Sequence, residues 1–274
     1  MKFTILTLFP EMIGPYFESS ILKRAQAKGL IEVELVNIRD YTKDKYGRTD
    51  TPPTGGGAGL VMKCQPIIDA LKDHSTSDSY KIIMSPRGRT YNQRIAEEFS
   101  KNYDHIVILC GHYEGIDERV YKYFDESISL GDYILTGGEL GAAIIVDSIS
   151  RLIDGVISEE SIKEESFTNN TLEYPQFTEP YDFEGDKIPD ILYSGNHEII
   201  AKWRRKESFK LMQKNRPDLM EKVELSKRDK KLLEEIKEDN DNPKWLVDTL
   251  EKASKFKKNN WDLQGFSKNI QKRC

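Results

Sequence analysis

The sequence contains few cysteines and few histidines. Cys64, Cys110 and Cys274 lie far apart, and only four histidines occur among 274 residues. Three scattered cysteines cannot build a disulfide framework, and neither residue type shows the spacing of metal ligands. We therefore expect no metal site built from these side chains. Unpaired cysteines are typical of a reducing compartment, so we expect a cytoplasmic protein.

Long hydrophobic runs are also absent. The longest near the start, Phe3 to Phe9, is too short to cross a membrane and ends at Pro10. Only Lys2 precedes it and no small-residue cleavage site follows, so the run predicts a buried strand and no signal peptide. With 38% hydrophobic and 32% charged residues, the composition indicates a soluble globular protein with no membrane partner.

Familiar catalytic and nucleotide motifs are missing as well. No G-x-S-x-G run is present, so a hydrolase of that type is unsupported. The run Gly55 to Gly59 lacks both the spacing of a dinucleotide loop and the Lys-Ser/Thr pair of a phosphate loop. Composition favours a flexible surface loop for this run.

The first 150 or so residues alternate strand-like and helix-like runs, which predicts an α/β domain with a largely parallel sheet. The predicted strands are Phe3–Phe9, Ile31–Asn37, Tyr80–Met84, His105–Cys110 and Ser127–Leu130. The predicted helices are Tyr16–Lys28, Gln65–Lys72, Asn92–Lys101, Ile116–Tyr123 and Glu139–Ile153.

Glycine-containing turns follow three of the predicted strands, at Ser85–Gly88, Gly111–Gly115 and Gly131–Gly138. Glycine lets the backbone turn sharply and approach another group closely. Ligands of parallel α/β sheets bind beyond the carboxyl ends of the strands. The three turns therefore predict one pocket built largely from main-chain atoms.

Charge is unevenly distributed along the second half of the chain. The net charge is −5, yet residues 201–231 hold 12 Lys or Arg against 5 Asp or Glu, whereas residues 154–200 hold 2 against 12. The acidic stretch shows little periodicity and predicts a connector, and helical patterns return after it. The basic segment could contact nucleic-acid phosphates, or it could be an ordinary solvated helix face.

A series of motifs follows in one order over residues 1 to 235. The motifs are LTLFPEM (6–12), SSILKRAQAKGL (19–30), NIRDYTKDK (37–45), GGGAGLVMK (55–63), SPRGRTYNQ (85–93), LCGHYEGIDERV (109–120), GDYILTGGEL (131–140), SGNHEII (194–200), WRRKES (203–208) and RPDL (216–219). In this order they resemble the bacterial tRNA (guanine-N1)-methyltransferases of the SPOUT class, which modify guanine 37 beside the anticodon.

The resemblance implies a SPOUT-type parallel sheet with a deep trefoil knot, plus a smaller, mainly helical C-terminal domain. It divides the chain into a knotted catalytic domain (1–160), a connector (161–196), a tRNA-binding helical domain (197–241) and an extension of unknown role (242–274). It also implies S-adenosylmethionine as the methyl donor. The implied donor contacts are Ser85, Pro86, Gly111, Tyr113, Glu114, Gly115, Leu130, Gly131, Tyr133, Leu135, Gly137 and Gly138.

Two catalytic side chains follow from the same resemblance. The family carries an Asp in an E-D-S-F motif and an Arg on the helix after the knot; here these positions are Glu165 and Arg151. Glutamate keeps the carboxylate but adds a methylene, and a site that desolvates it would raise its pKa toward that of a useful base. Without the resemblance, Glu165 would be one more solvated loop carboxylate.

The basic segment is expected to hold tRNA through its phosphates. The residues expected to make these contacts are Lys202, Arg204, Arg205, Lys206, Lys210, Lys214 and Arg216. The resemblance further implies a homodimer and an association with magnesium ion. Two other functions stay open. The first is an RNA-binding protein that has lost catalysis, which the Glu at position 165 suggests. The second is a SPOUT methyltransferase acting on another RNA.

Overall fold

The computed structural model describes residues 1–158, 166–167 and 170–260, with side chains described up to residue 254. Glu165 and the tail from residue 261 onward lie outside the described residues. The chain divides into two compact units, Met1–Ile162 and Lys163–Cys274.

A five-stranded parallel sheet forms the centre of the first unit, with spatial order β2-β1-β6-β5-β7. A separate antiparallel pair joins β3 to β4. The strands are β1 Lys2–Thr7, β2 Glu32–Asn37, β3 Asp50–Thr51, β4 Val61–Met62, β5 Tyr80–Thr90, β6 His105–Cys110 and β7 Glu126–Ser129. The predicted α/β class with a parallel sheet is confirmed.

Helices cover both faces of the sheet. They are α1 Pro10–Phe17, α2 Ser20–Ala27, α3 Cys64–His74, α4 Gln93–Asn102 and α5 Glu139–Ser150. Alternate residues of β6 point into two different cores: Ile106 and Ile108 pack with α1, α2, α4 and α5, whereas Val107 and Leu109 pack with α3. Burial on both faces explains why β6 is an unbroken apolar run.

Three predicted elements differ in the structure. The single helix expected over Tyr16–Lys28 is two helices, because the chain turns after α1, and Ser20, the first residue of α2, has φ +47°. The helix expected at Ile116–Tyr123 is a 3-10 helix over Glu118–Tyr123. Strand β5 continues beyond Met84 to Thr90, after a register shift in its pairing with β7.

The second unit is mainly helical in its described part. A short hairpin, β8 Asp182–Phe183 and β9 Asp186–Lys187, precedes α6 His197–Asn215, α7 Pro217–Met220, α8 Lys227–Lys237 and α9 Lys244–Asn260. Its core contains Phe209 and Met212 of α6, Leu219 and Leu232, and Trp245 of α9 packs against them. In the part of the chain that the structure describes, no helix combines the length and the hydrophobicity needed to cross a membrane.

Candidate ligand-binding cleft

A cleft of about 480 Å³ lies at the carboxyl ends of three neighbouring strands of the first unit. Met84 of β5 pairs in register with Cys110 of β6 and with Ile128 of β7, so the segments that follow these three residues start side by side. The segment after Met84 is not the turn expected at Ser85–Gly88, because β5 continues through it to Thr90. All twelve residues predicted to contact a methyl donor line this one cleft: Ser85, Pro86, Gly111, Tyr113, Glu114, Gly115, Leu130, Gly131, Tyr133, Leu135, Gly137 and Gly138.

The loop after β7 is bonded to the loop after β6. The Gly138 N–H donates to the Gly111 carbonyl at 2.9 Å, and His112 and Gly137 form an isolated antiparallel bridge. The loop after β7 also closes on itself, since the Gly131 N–H donates to the Ser129 hydroxyl at 3.1 Å. Main-chain bonds therefore hold the two glycine runs in fixed positions beside the cleft.

Two of the glycines occupy places that no larger residue fits. A Cβ on Gly138 would stand 2.8 Å from the Cys110 Cα and 2.9 Å from the Met84 Cβ. Gly131 has φ +144°, a conformation that side chains rarely adopt, and a Cβ there would lie 3.0 Å from the Tyr133 ring. The close approach of backbone to backbone at this end of the sheet thus depends on glycine.

Apolar side chains form one wall of the cleft and remain open to solvent. Ile134 is 81% exposed, Tyr133 55% and Leu135 40%. Large apolar side chains left exposed side by side are typical of a ligand-binding surface. Together with the main-chain N–H and C=O groups of the glycine runs, they suit a flat, partly apolar ligand.

The Gly55–Gly59 run is anchored beside the cleft at its carboxyl end. The Leu60 N–H donates to the Glu114 carboxylate at 2.7 Å, and the Glu114 N–H donates to the Leu60 carbonyl at 3.1 Å. A Cβ on Gly59 would fall on that carboxylate, whereas Gly55 and Gly56 face open space. The interpretation of this run as a free surface loop therefore missed its attachment to a lining residue of the cleft.

Arg87, Glu118 and Tyr121 form a further side of the cleft that the sequence did not predict. The Arg87 guanidinium lies 4.2 Å from the centre of the Tyr121 ring and 3.0 Å from the Glu118 carboxylate. Glu118 does not pair with its neighbour Arg119, which instead pairs with Asp117 at 2.8 Å. The two adjacent residues thus take different partners, and the Arg87–Glu118 contact joins two lining residues of the cleft.

His112 is a second lining residue that sequence reasoning missed. Its ring packs on Phe9 at 4.7 Å between centroids, and its Nδ1 atom is buried without a hydrogen-bond partner in the described structure. Near it, the buried Glu139 carboxyl accepts a hydrogen bond from the Thr7 hydroxyl at 2.8 Å. In the sequence, the signal for His112 was its position between two predicted lining residues, Gly111 and Tyr113.

The Cys110 thiol lies beneath these loops and is not a reactive nucleophile. Burial, reinforced by the neighbouring Glu139 carboxyl, raises the pKa of this thiol well above its usual value. A neutral thiol is a poor nucleophile and a poor metal ligand. Within the described ranges of the chain, no group of three or more His, Cys, Asp or Glu side chains is placed to hold a metal ion.

The structure does not bring Arg151 to the cleft of its own chain. Arg151 ends α5, and its N–H donates to the Asp147 carbonyl at 3.2 Å, whereas Gly138 at the start of α5 lines the cleft. At a rise of 1.5 Å per residue, the two backbone positions are about 20 Å apart. This is far beyond the length of one arginine side chain. Glu165, the other predicted catalytic residue, lies outside the described residues.

One of the residues predicted to contact phosphates, Lys206, is covered within the second unit. It is only 3% exposed, and its ammonium group donates to the Asn240 carbonyl at 2.6 Å and lies 3.4 Å from Glu235. An ammonium group enclosed in this way is not available to a phosphate. A helical pattern of basic residues could not reveal which of them the rest of the unit covers.

Most of the other predicted basic residues also have partners within the second unit. Lys202 lies over the Trp245 ring, Lys210 pairs with Asp241, Arg204 lies over Tyr174, Arg205 pairs with Asp229 and Arg216 pairs with Asp218. Lys214 is exposed, and it makes no ion pair within the described ranges. These pairings leave only part of the basic segment ready to contact another molecule.

A cleft built from main-chain groups beyond three neighbouring strands defines a ligand-binding protein of the parallel α/β class. The family model for tRNA (guanine-1)-methyltransferase TrmD matches residues 1–222. The chain belongs to this family, so the resemblance found in the sequence is confirmed.

Proteins named tRNA (guanine-N(1)-)-methyltransferase are similar to this chain over nearly their whole length. A tRNA (guanine-N(1)-)-methyltransferase of Clostridium perfringens strain SM101 is 54% identical over 235 residues, which are 85% of this chain and 99% of that protein. A protein of the same name from Clostridium botulinum strain Eklund 17B is 55% identical over 235 residues, covering 85% and 98%. That of Dictyoglomus turgidum is 52% identical over 240 residues, covering 87% and 98%.

Proposed function

We propose that this protein transfers a methyl group from S-adenosylmethionine to N1 of guanine 37 in tRNA. Its family and its relatives of more than 50% identity are tRNA (guanine-N1)-methyltransferases. One observation carries the assignment to this cleft: all twelve residues predicted to contact the donor meet there, although they come from three separate segments of the chain.

The cleft fits the proposed donor in size and chemistry. Its volume of about 480 Å³ is in the range of small-molecule sites. The glycine runs present main-chain N–H and C=O groups that can hydrogen-bond an adenine edge, and Ile134 and Leu135 supply an apolar face for the ring. When bound, S-adenosylmethionine supplies the electrophilic methyl group.

The reaction also needs groups that the cleft does not contain. Guanine N1 carries a proton at neutral pH, so a base must remove this proton. As the proton leaves, negative charge grows on the carbonyl oxygen of the guanine. We assign the base to Glu165 and the stabilisation of the oxygen to Arg151. The target guanine would leave the base stack of the anticodon loop to enter the site.

The position of Arg151 supports a homodimer in which each site combines two chains. Within one chain, about 15 Å of helix separates Arg151 from Gly141, the last lining residue of the cleft on α5, so this guanidinium would have to serve the cleft of a second copy. The adjoining helices α1 and α5 expose the apolar side chains Met12, Tyr16, Leu140 and Ile144. Such a surface is suited to burial between two protomers.

The finer architecture follows the same proposal. We propose that the loops after β5, β6 and β7 belong to a trefoil knot; the bonds between the loops after β6 and β7 support close threading there. Residues 1–160 would be the catalytic domain, 161–196 the connector and 197–241 the tRNA-binding domain, with 242–274 an extension. Magnesium and a cytoplasmic location stay predictions.

A methylation assay with one matched control tests the proposal. Purified protein, methyl-labelled S-adenosylmethionine and unmodified tRNA with guanine at positions 36 and 37 should yield N1-methylguanine at position 37. Glu165→Gln should abolish turnover with donor affinity nearly unchanged, whereas the adjacent Glu164→Gln should stay active. Equal loss of donor binding and of rate in Glu165→Gln would assign that residue a structural role.

The same assay separates the two other candidate functions. Glutamate in place of the family's aspartate at position 165 is the observation that favours an RNA-binding protein without catalysis. Such a protein would bind the donor in calorimetry and transfer no methyl group. Methylation at a nucleotide other than guanine 37 would identify a methyltransferase of another RNA.

A further inference from the structure

Three lysines on one face of α6 are occupied by a later segment of the same unit. Lys202, Lys206 and Lys210 recur every fourth residue, so they lie on the same side of the helix. Their partners are the Trp245 ring at 4.1 Å, the Asn240 carbonyl at 2.6 Å and the Asp241 carboxylate at 2.9 Å.

All three partners come after residue 222, where the match to the family model ends. The segment that supplies them leads into α9, and α9 packs against α6. This face of α6 therefore serves the internal structure of the second unit in this chain. A phosphate could contact it only after displacing contacts of the unit itself.

A different basic surface is left uncovered on α8. Its first two turns expose four cations, Lys227, Arg228, Lys230 and Lys231, and none of them makes an ion pair within the described ranges. The helical repeat places Lys227, Lys230 and Lys231 on the side away from the buried Leu232 and Asp229, and Arg228 at the edge of that side, next to Leu232. The four form one continuous patch, here called the α8 basic patch.

The α8 basic patch is unfavourable for the isolated helix. Like charges three and four residues apart repel each other, as Lys227 does with Lys230 and Lys231. Cations near a helix N-terminus also oppose the helix dipole. The nearest carboxylate, Asp229, is already engaged, since it accepts hydrogen bonds from Arg205 and from the Ser226 N–H. Glu234, which follows Lys230 by four residues and Lys231 by three, offsets part of this repulsion, but it forms no ion pair with either lysine in the described structure.

We propose that the α8 basic patch, and not the lysine face of α6, is the surface through which this protein contacts the phosphate backbone of its tRNA substrate. The inference rests on the proposed function, which supplies the partner. Polyanion phosphates relieve the repulsion among the four cations, and four exposed, unpaired cations need break no internal contact to bind them. Base identity would be read elsewhere, in the cleft.

The test compares three variants for tRNA binding at several salt concentrations, by fluorescence anisotropy with labelled tRNA. The patch variant replaces Lys227, Arg228, Lys230 and Lys231 by Gln. The charge-matched control replaces Lys23, Arg24, Lys28 and Lys101, exposed cations of the first unit, by Gln. The α6 variant carries Lys202→Gln and Lys210→Gln.

The patch variant should bind tRNA at least about tenfold more weakly at low salt, and its slope of log affinity against log salt should be smaller by about 2 to 4, roughly one per lost phosphate contact. Donor affinity and thermal stability should stay close to those of the unmodified protein. The control and the α6 variant should retain nearly the full slope.

The proposal is overturned if the patch variant keeps the full slope, if the control loses as much, or if the α6 variant shows the loss instead. Failure of the proposed function looks different, because the unmodified protein itself would then transfer no methyl group to guanine 37, whatever the salt dependence of its tRNA binding. If the patch variant unfolds, the single changes Lys227→Gln and Lys231→Gln, each expected to lower the slope by about one, repeat the test.

Discussion

Two inactive variants should restore activity to each other if each site combines two chains. One variant, Arg151→Ala, removes the catalytic arginine but leaves the cleft intact. The other, Gly138→Val, keeps Arg151 but fills the backbone contact at the cleft. In a mixed dimer one site carries both changes and the other carries neither, so one intact site reappears.

The structure sets the size of both effects. A carbon added to Gly138 stands 2.8 Å from the Cys110 Cα and 2.9 Å from the Met84 Cβ. Overpacking of this kind costs about 1–3 kcal/mol, and a loss of 1.4 kcal/mol in donor binding is about tenfold in affinity. Random mixing of the two chains should leave about one quarter of all sites intact, and selection of the mixed dimers alone should raise this to about one half, from two parent pools of low activity.

The assay is tRNA methylation after the two variants are co-expressed and purified through different affinity tags. Leu140→Glu in both chains, which places a charge on the exposed apolar surface of α5, should prevent mixing and remove the recovered activity. If Gly138→Val does not fold, Leu135→Asp at the apolar wall replaces it. No recovery from well-folded, fully mixed dimers would refute the reasoning, because it would place both groups in one chain despite the roughly 15 Å of helix between Gly141 and Arg151.

Two further predictions concern the glycine run and the capped helix α8. Gly59→Ala should weaken donor binding more than Gly56→Ala. Both glycines have positive φ, at +73° and +88°, so the backbone strain is similar, but only the Cβ at position 59 displaces Glu114. Equal effects on donor affinity in calorimetry would refute the link between Gly59 and the cleft. Burial raises the pKa of Asp229, but hydrogen bonds, that from Arg205 first, outweigh it and hold the pKa below its usual value. A carboxyl with a lowered pKa stabilises the fold above its unfolded pKa of about 3.9, so Asp229→Asn should cost about 1 kcal/mol at pH 7. The difference should shrink below about pH 4 in thermal melts, and a constant difference would contradict the assignment.

Local sequence patterns predicted the sheet because its strands are short apolar runs that end at glycine. His105–Cys110 matches its strand residue for residue. Periodicity failed where a local conformation interrupts a helical pattern. Ser20 takes a positive φ at the start of α2, and the residues after Asp117 wind as a 3-10 helix. The spacing of apolar residues reveals neither of these two changes.

The cleft shows the same division between local and tertiary information. The glycine runs that line it could be predicted because the runs beginning at Gly111 and Gly131 each follow a strand in the sequence. The Arg87–Glu118 contact was not, because it joins residues 31 positions apart. Likewise, the basic residues of α6 were found from composition, but composition does not show that residues 235–245 cover three of them. Partners of charged side chains are set by packing, which a single sequence does not state.

The covered face of α6 and the open patch on α8 bear on how a basic segment acquires a function. A cation that makes an internal ion pair already has its charge compensated, and a phosphate must then replace a partner instead of simply joining it. Surface ion pairs are weak, so Lys210 with Asp241 could be exchanged at little cost, but a buried ammonium such as that of Lys206 could not. The difference between the two lysines lies in burial and not in charge. For this chain, exposure without an ion pair is therefore the better guide to phosphate contact than the number of basic residues; four cations of α8 meet that criterion, whereas on α6 Lys214 alone of the predicted residues does so within the described ranges.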